Sequence, residues 1–248
     1  MIDLHTHILP ALDDGAESLR ESLEMAQTAV RNGTEIIVAT PHRNLHGAKR
    51  KGTDDVKAAF EALKSGIAVV GLNLKVVLGS ENFRSHDMVE RLEAGELLTI
   101  NSTKYVLVEF DFNEEEQDIF TIVERLTKHG YIPVVAHPER YTCFYTNVGG
   151  LYDLYKSGAV LQINKGSVLG QFGKRVQRVA DIALSHRLAA VAASDAHDTY
   201  SRDTDLSEFA KVLDIRYGEG CSPLLLEENP RRIIEGREIV WESPVPIE

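Results

Sequence analysis

The sequence predicts an α/β fold organised on a parallel sheet, on three observations. Seven short apolar runs alternate with amphipathic helical patterns along the 248 residues, which is the rhythm of repeated βα units. Several of these runs are apolar throughout, as strands are when both faces are buried. The length suits one α/β barrel, ordinarily about 250 residues.

Each element follows in order. The first run, Met1–Thr6, passes through the stretch DLHTHILPALDDG into a helical pattern. There Leu19, Leu23, Ala26 and Val30 share a face, Ser18 and Glu21 fit a capping box, and Gly33 fits a stop. The runs Glu35–Thr40, Leu74–Gly79 and Tyr105–Glu109 come next. Ile119, Ile122, Val123 and Leu126 form the next helical stripe, which Gly130 closes. Ile132–Ala136 and Val160–Ile163 precede a third stripe of Val176, Val179, Ala180 and Ala183, and the last run is Leu188–Ala193. No linker, repeat or low-complexity segment interrupts, so residues 1–248 read as a single domain with the tail after Pro223 on its outside.

Composition narrows the class. Charged residues make up 26% and hydrophobic ones 43%, as in a globular chain, and the net charge of −11 argues against a nucleic-acid footprint. No secretory pattern opens the chain, and no apolar run approaches the roughly 18 residues of a membrane span. Cys143 and Cys221 are too few for a disulfide framework or a zinc ribbon. A cytoplasmic enzyme is the expectation.

Nearly every strand candidate ends in a group able to bind metal. His5 and His7 are two apart, so an extended backbone points both one way, and Asp13 and Asp14 follow closely. Neutral imidazole is a common ligand. Later runs end at His42, Glu81, Glu109 and His137, and the last at Asp195 and His197. Any one of these alone reads as a solvated or hydrogen-bonded loop residue. Their repetition at strand end after strand end is what favours a shared centre, because parallel-barrel strands converge at their C-terminal ends. His46, His86, His129 and His186 fall outside the pattern. Neither cysteine has an arginine six positions later, so a thiol phosphatase is excluded, and no Gly-x-Ser-x-Gly or Walker A pattern occurs.

With those motifs the chain resembles the PHP superfamily (polymerase and histidinol phosphatase). It is more closely similar to the PHP-type protein-tyrosine phosphatases of Gram-positive capsule and exopolysaccharide systems. The carrying motifs are DLHTHILPALDDG, IIVATPH, VLGSE, YVLVEF, PVVAHPERY, ASDAH and ENPRRII, spread over almost the whole chain. The resemblance implies a distorted seven-stranded, TIM-like α/β barrel with a trinuclear metal centre. It implies His5, His7, Asp14, His42, Glu81, Glu109, His137, Asp195 and His197 as ligands, and Arg140 and Arg202 as phosphate-binding residues. Manganese is the metal it favours, although His and carboxylate ligands also suit iron or zinc. It implies a phosphotyrosine protein as substrate, namely a bacterial tyrosine kinase with a tyrosine-rich tail. Arg43, Asn82 and Phe83 depart from the relatives' pattern at the expected site mouth and bear on substrate preference.

Three divalent cations against four carboxylates leave about +2, which suits a phosphate dianion. Metals would acidify water and clamp phosphoryl oxygens, with Arg140 and Arg202 donating to the rest. His42 is counted with both arginines in the catalytic set, and Arg43 and Tyr141 with the substrate contacts. Tyr141, Phe144 and Tyr145 offer rings to a phenol, with core packing as their alternative. A phenol leaves with a pKa of about 10, so no dedicated acid is required. The basic loop from Arg43 through Lys49, Arg50 and Lys51 is expected beside the mouth, where it would steer a phosphorylated tail. Two alternatives stand: a histidinol phosphatase or other small-molecule phosphoesterase, and a catalytically idle metal-binding scaffold.

Overall fold

The computed structural model describes residues 1–44 and 51–247, so His46, Lys49 and Arg50 lie outside the described residues. The strands are β1 (Ile2–Thr6), β2 (Ile36–Ala39), β3 (His42–Arg43), β4 (Lys75–Leu78), β5 (Glu81–Phe83), β6 (Tyr105–Glu109), β7 (Ile132–Ala136), β8 (Val160–Asn164) and β9 (Ala189–Ala193). Every pairing is parallel, in the orders β1-β2-β4 and β3-β5-β6-β7-β8-β9. The seven expected runs are all strands, and two short ones are added: β3 beyond β2 and β5 beyond β4. Pro41 and the Gly79–Ser80 pair interrupt the regular ladder, yet Gly79 N–H donates to Ala39 O at 2.9 Å and Glu81 N–H to Pro41 O at 3.1 Å. Each pair therefore runs on as one line of chain. At the other edge Thr6 bridges Ala196, and His7 N–H donates to Ala196 O at 2.8 Å.

Apolar contacts form an interior and two outer layers. Ile2, Leu4, Val38, Leu107, Val134 and Val160 fill the interior. Outside β6–β9, Ile119, Ile122, Val123 and Leu126 of the helix Glu116–Lys128 pack with Val179, Ala180 and Ala183 of Lys174–Ser185. Met25, Ala26 and Ala29 of Leu19–Arg31 pack with Leu63 and Ile67 of Thr53–Val70 over β2 and β4.

Three expectations need correcting here. The first helix buries Ser22, Met25, Ala26 and Ala29, while Leu19 stays exposed. Its leucines instead lie over Gly66, where the absent side chain leaves room for a second helix. Its cap is also rearranged: Ser18 Oγ accepts from Glu21 N–H, but the Glu21 carboxylate accepts from Glu17 N–H. The tail is not simply external either. Ile233 and Ile234 are buried in the interior cluster, and Asn229 Nδ2 donates to Ala190 O at 2.9 Å. No helix among the described residues is long and apolar enough to cross a membrane.

Candidate metal centre and active site

The centre begins at an irregularity in β1. Between Asp3 and Thr6 the register with β2 slips by one residue. A bulge of this kind re-aims the side chains beyond it. Ile2 and Leu4 join the apolar interior, and His5 and His7 then turn together into the site, with their Nε2 atoms 3.2 Å apart. The other nitrogen of each ring is engaged. Gln162 Oε1 accepts from His5 Nδ1 at 2.9 Å, and Asp13 Oδ2 accepts from His7 Nδ1 at 2.9 Å. Burial works against a charge on either ring, yet Glu81 and Asp195 raise His5 and Asp13 raises His7, so both hold protons that a shared cation would replace.

Local backbone geometry places the rest. The chain returns so tightly at Gly15 that a Cβ there would lie 2.1 Å from His7 O, so only glycine follows the two aspartates. That return lets Asp13 also accept from His42 N–H at 2.8 Å. His137 and Asp195 have φ of +34° and +52°, left-handed values that turn each side chain away from its strand's alternation. Asp14 Oδ1 lies 3.4 Å from both His42 Nε2 and His197 Nε2. Glu81 Oε2 lies 3.2 Å from His5 Nε2, 3.2 Å from His7 Nε2 and 3.1 Å from His42 Nδ1. Glu81 Oε1 lies 3.2 Å from His137 Nε2, and Glu109 Oε1 3.6 Å from it. Asp195 Oδ1 is 3.4 Å from His5 Nε2.

All nine expected ligands thus meet. Donor atoms of seven of them form three overlapping groups, His7–Asp14–His42–His197, His5–His7–Glu81 and His42–Glu81–Glu109, each within 4.8 Å, and His137 and Asp195 adjoin these through Glu81 and His5. Divalent cations fit this set. His42 Nδ1, Glu81 Oε2, Glu109 Oε2 and His137 Nδ1 are buried without a hydrogen-bond partner, a costly state that coordination relieves. Five imidazoles, four carboxylates and no thiolate favour hard or borderline divalent ions.

Titration follows the crowding. Burial, then the Glu81 and Asp195 charges, push the Glu109 carboxyl up to about 9. Burial pushes His137 down to about 4. Burial works against Glu81 and Asp195 as carboxylates, yet the surrounding imidazoles hold both well below the usual range.

Seven of these side chains, all but His5 and His7, line a cleft of about 230 Å³ together with Arg140, Arg202 and Phe112. Arg202 Nη2 donates to Asp195 Oδ2 at 2.6 Å, and Arg140 Nη1 approaches the same oxygen at 3.5 Å. The Arg140 guanidinium carbon sits 4.4 Å from the Phe112 ring centre and 4.5 Å from that of Phe172. Lys165 Nζ staples the loop of Arg202 through Asp203 O and Asp203 Oδ1, both at 2.6 Å.

Other expected site residues are elsewhere. Arg43 alternates away from His42 along β3, and its guanidinium donates to Lys51 O at 2.7 Å and Glu96 O at 2.9 Å. It does not line the cleft. Tyr141 is fully buried, donating to Ala136 O at 2.8 Å and accepting from Phe110 N–H at 3.1 Å, so it is a core residue. Phe144 is likewise buried, and Tyr145 donates to Arg140 O at 3.1 Å. Asn82 Nδ2 donates to Leu98 O and Leu107 O, and Phe83 is buried, so neither departure reaches the cleft. Sequence reasoning passed over Gln162, Asn164 and Phe112. The first two were signalled by polar residues two apart in an otherwise apolar strand.

Comparison with known proteins agrees with this geometry. The family model for capsular polysaccharide synthesis, CpsB/CapC, matches residues 1–235. The tyrosine-protein phosphatase YwqE of Bacillus subtilis is 37% identical over 248 residues, covering 100% of this chain and 96% of that protein. The tyrosine-protein phosphatase CpsB of Streptococcus agalactiae serotype V is 32% identical over 244 residues, 96% of this chain and 100% of that one. A solved structure from the description of YwqE from Bacillus subtilis and CpsB from Streptococcus pneumoniae, "unique metal-dependent tyrosine phosphatases", superposes with a TM-score of 0.93. It is 36% identical and covers 100% of both chains.

Proposed function

The chain belongs to the CpsB/CapC family of capsular polysaccharide synthesis, and from that premise we propose that it is a metal-dependent tyrosine phosphatase. The observation that carries the reading is the cleft in which imidazoles, carboxylates and two arginines converge. We take His5, His7, Asp14, His42, Glu81, Glu109, His137, Asp195 and His197 to hold three divalent ions, manganese first among the candidates. Such ions, when bound, supply positive charge and lower the pKa of water, so that a nucleophile is available at neutral pH. Arg140 and Arg202 bind phosphate oxygens. Both now lean on Asp195 Oδ2, so a phosphate dianion competes for donors that are already aimed inward. The flanking rings hold the plane of Arg140, which preserves its two-pronged geometry.

No side-chain acid is assigned to the leaving phenol, whose pKa of about 10 lets it depart as phenolate. The thiols take no part, since burial pushes Cys143 up to about 11 and Cys221 up to about 12, against what a nucleophilic cysteine needs. The same reading takes residues 1–248 as one cytoplasmic domain. It also treats β2 with β3, and β4 with β5, as two interrupted strands of a distorted seven-stranded barrel, supported by the Thr6–Ala196 bridge. The substrate would be the phosphorylated tyrosine-rich tail of a bacterial kinase.

Turnover of a phosphotyrosine peptide, measured beside histidinol phosphate, tests the reading. Chelation should abolish it and manganese restore it, while joint Cys143→Ser and Cys221→Ser substitution leaves it within about two-fold. Turnover that survives verified metal removal, or a preference for histidinol phosphate, overturns the assignment.

A further inference from the structure

Ten side chains line the cleft among the described residues, and nine of them are ionisable. The tenth is Phe112, which is 40% exposed although it is a large apolar group. Its neighbour Phe110, two residues back, is buried against Tyr141. Strand alternation would place Phe112 on the face of Phe110, but the chain turns at Phe112 and Asn113, and the turn delivers the ring to the cleft instead of the core.

Its position relative to the phosphate-binding side is fixed twice. The Arg140 guanidinium lies 4.4 Å from its ring centre, and the His137 ring meets it edge-on at 6.1 Å. Its carbonyl accepts from Thr142 N–H at 2.7 Å, which ties the segment after β6 to the segment carrying Arg140. The ring is thus held beside the arginine before any ligand arrives.

We propose that Phe112 is the aryl-recognition residue of this cleft, packing against the aromatic ring of the substrate. The inference rests on the phosphatase reading and sharpens its substrate class. In an aryl phosphate the ring is separated from phosphorus by one ester oxygen. A phosphate whose oxygens meet Arg140 consequently brings its aryl ring beside whatever flanks that arginine at the open side. Of the two rings that flank Arg140, Phe112 is the one that lines the cleft, and contact between rings covers area that water otherwise meets. A serine or threonine phosphate has no ring to place against it.

Two phosphonates that are not hydrolysed separate ring recognition from phosphate recognition. Inhibition constants of phenylphosphonate and methylphosphonate are measured on the manganese-loaded enzyme, with an aryl phosphate as reporter substrate. In the unsubstituted protein phenylphosphonate should bind several-fold more tightly. Phe112→Leu should weaken phenylphosphonate by about three- to ten-fold, leave methylphosphonate within about two-fold, and keep metal content unchanged. Phe112→Tyr should restore the selectivity. Equal inhibition by both phosphonates in the unsubstituted protein overturns the proposal without requiring any variant to fold. Equal weakening of both in Phe112→Leu also overturns it, by making the ring merely a support for Arg140. Failure of the unsubstituted enzyme to turn over any aryl phosphate would instead remove the phosphatase reading itself.

Discussion

Single strands of this protein differ in kind from one end to the other. β6 starts with Tyr105 and Leu107 in the apolar interior and finishes at Glu109. β7 contributes Val134 and Ala136 to that interior and leads into His137. At the starting end the packing is closed by Ile233 and Ile234, and the cavity of about 520 Å³ between Tyr105, Tyr155 and Trp241 holds no ligand cluster among the described residues. At the finishing end buried imidazoles and carboxylates crowd together with several atoms unpaired. The contrast separates two tasks. The apolar end stabilises the fold by burial, whereas the charged end costs stability until cations arrive.

The largest contrast is expected from two residues on one strand. Leu107 is fully buried and Glu109 nearly so. Leu107→Ala should cost about 2–5 kcal/mol of stability, yet leave metal affinity of the folded protein near normal. Glu109→Gln should do the reverse. With its carboxyl pushed up to about 9, Glu109 carries its proton at neutral pH when metal is absent. A neutral amide of the same shape avoids the cost of protonating that carboxyl on folding, so the chelated variant should be more stable than the chelated parent at pH 7, by up to about 3 kcal/mol. Turnover should nevertheless fall by two or more orders of magnitude, roughly, because an amide is a far poorer ligand than a carboxylate. Thermal melts with and without chelator, beside metal analysis, check both. Equal stability losses in the two variants would erase the division between the ends.

A pH series sharpens the same point. Glu109 moves from an ordinary 4.5 to about 9 in the folded protein. A raised carboxyl contributes stability that is complete below the lower value and is lost as pH climbs through the higher one. Burial shifts His137 the opposite way, from 6.5 to about 4, so its contribution falls away only as pH drops below 6.5. Between pH 6.5 and 9, chelated protein should therefore lose stability with rising pH more steeply than chelated Glu109→Gln. The difference should approach one proton's worth, about 1.4 kcal/mol per pH unit. Saturating manganese should remove the difference, since bound cations replace the proton. Parallel slopes without metal would mean that Glu109 is not desolvated as the geometry indicates.

The division between the ends was largely legible in the amino-acid sequence. Apolar runs announce themselves by periodicity, and a titratable residue after nearly every run is conspicuous against it. What escaped notice depends on a slip or a turn of one residue. β3 and β5 are too short and too polar to show a period, although they carry His42 and Glu81. Arg43 sits one position beyond a ligand, and alternation sends it to the opposite face. Tyr141 lies near Arg140 in sequence but is claimed by the core through Ala136 O and Phe110 N–H. The bulge that aims His5 and His7 has no signature in DLHTH, because the register slip exists only relative to β2.

The smallest effect expected lies on β8, which passes from one regime to the other. Val160 belongs to the apolar interior, Gln162 stands between, and Asn164 reaches the ligands. Gln162 Oε1 accepts from His5 Nδ1 at 2.9 Å, Gln162 Nε2 donates to Asn164 Oδ1 at 2.7 Å, and Asn164 Nδ2 donates to Asp195 Oδ2 at 2.6 Å. The chain of amides thus joins two proposed ligands and selects the His5 tautomer whose Nε2 is free for metal. Gln162→Leu keeps the volume but removes the acceptor, so His5 loses both its orientation and a partner for Nδ1–H. Losses at such supporting positions typically run to about 10–100-fold in metal affinity or activity; the lower part of that range is expected here, since Glu81 and Asp195 still flank His5. Manganese titration should show the loss, and excess manganese should return most of kcat, because no group that touches phosphate has changed. Gln162→Glu should retain more affinity than Gln162→Leu, since a carboxylate still accepts from Nδ1–H. Unaltered affinity in Gln162→Leu would assign Gln162 to the apolar end, as packing alone, and move the boundary between the two regimes up to Asn164.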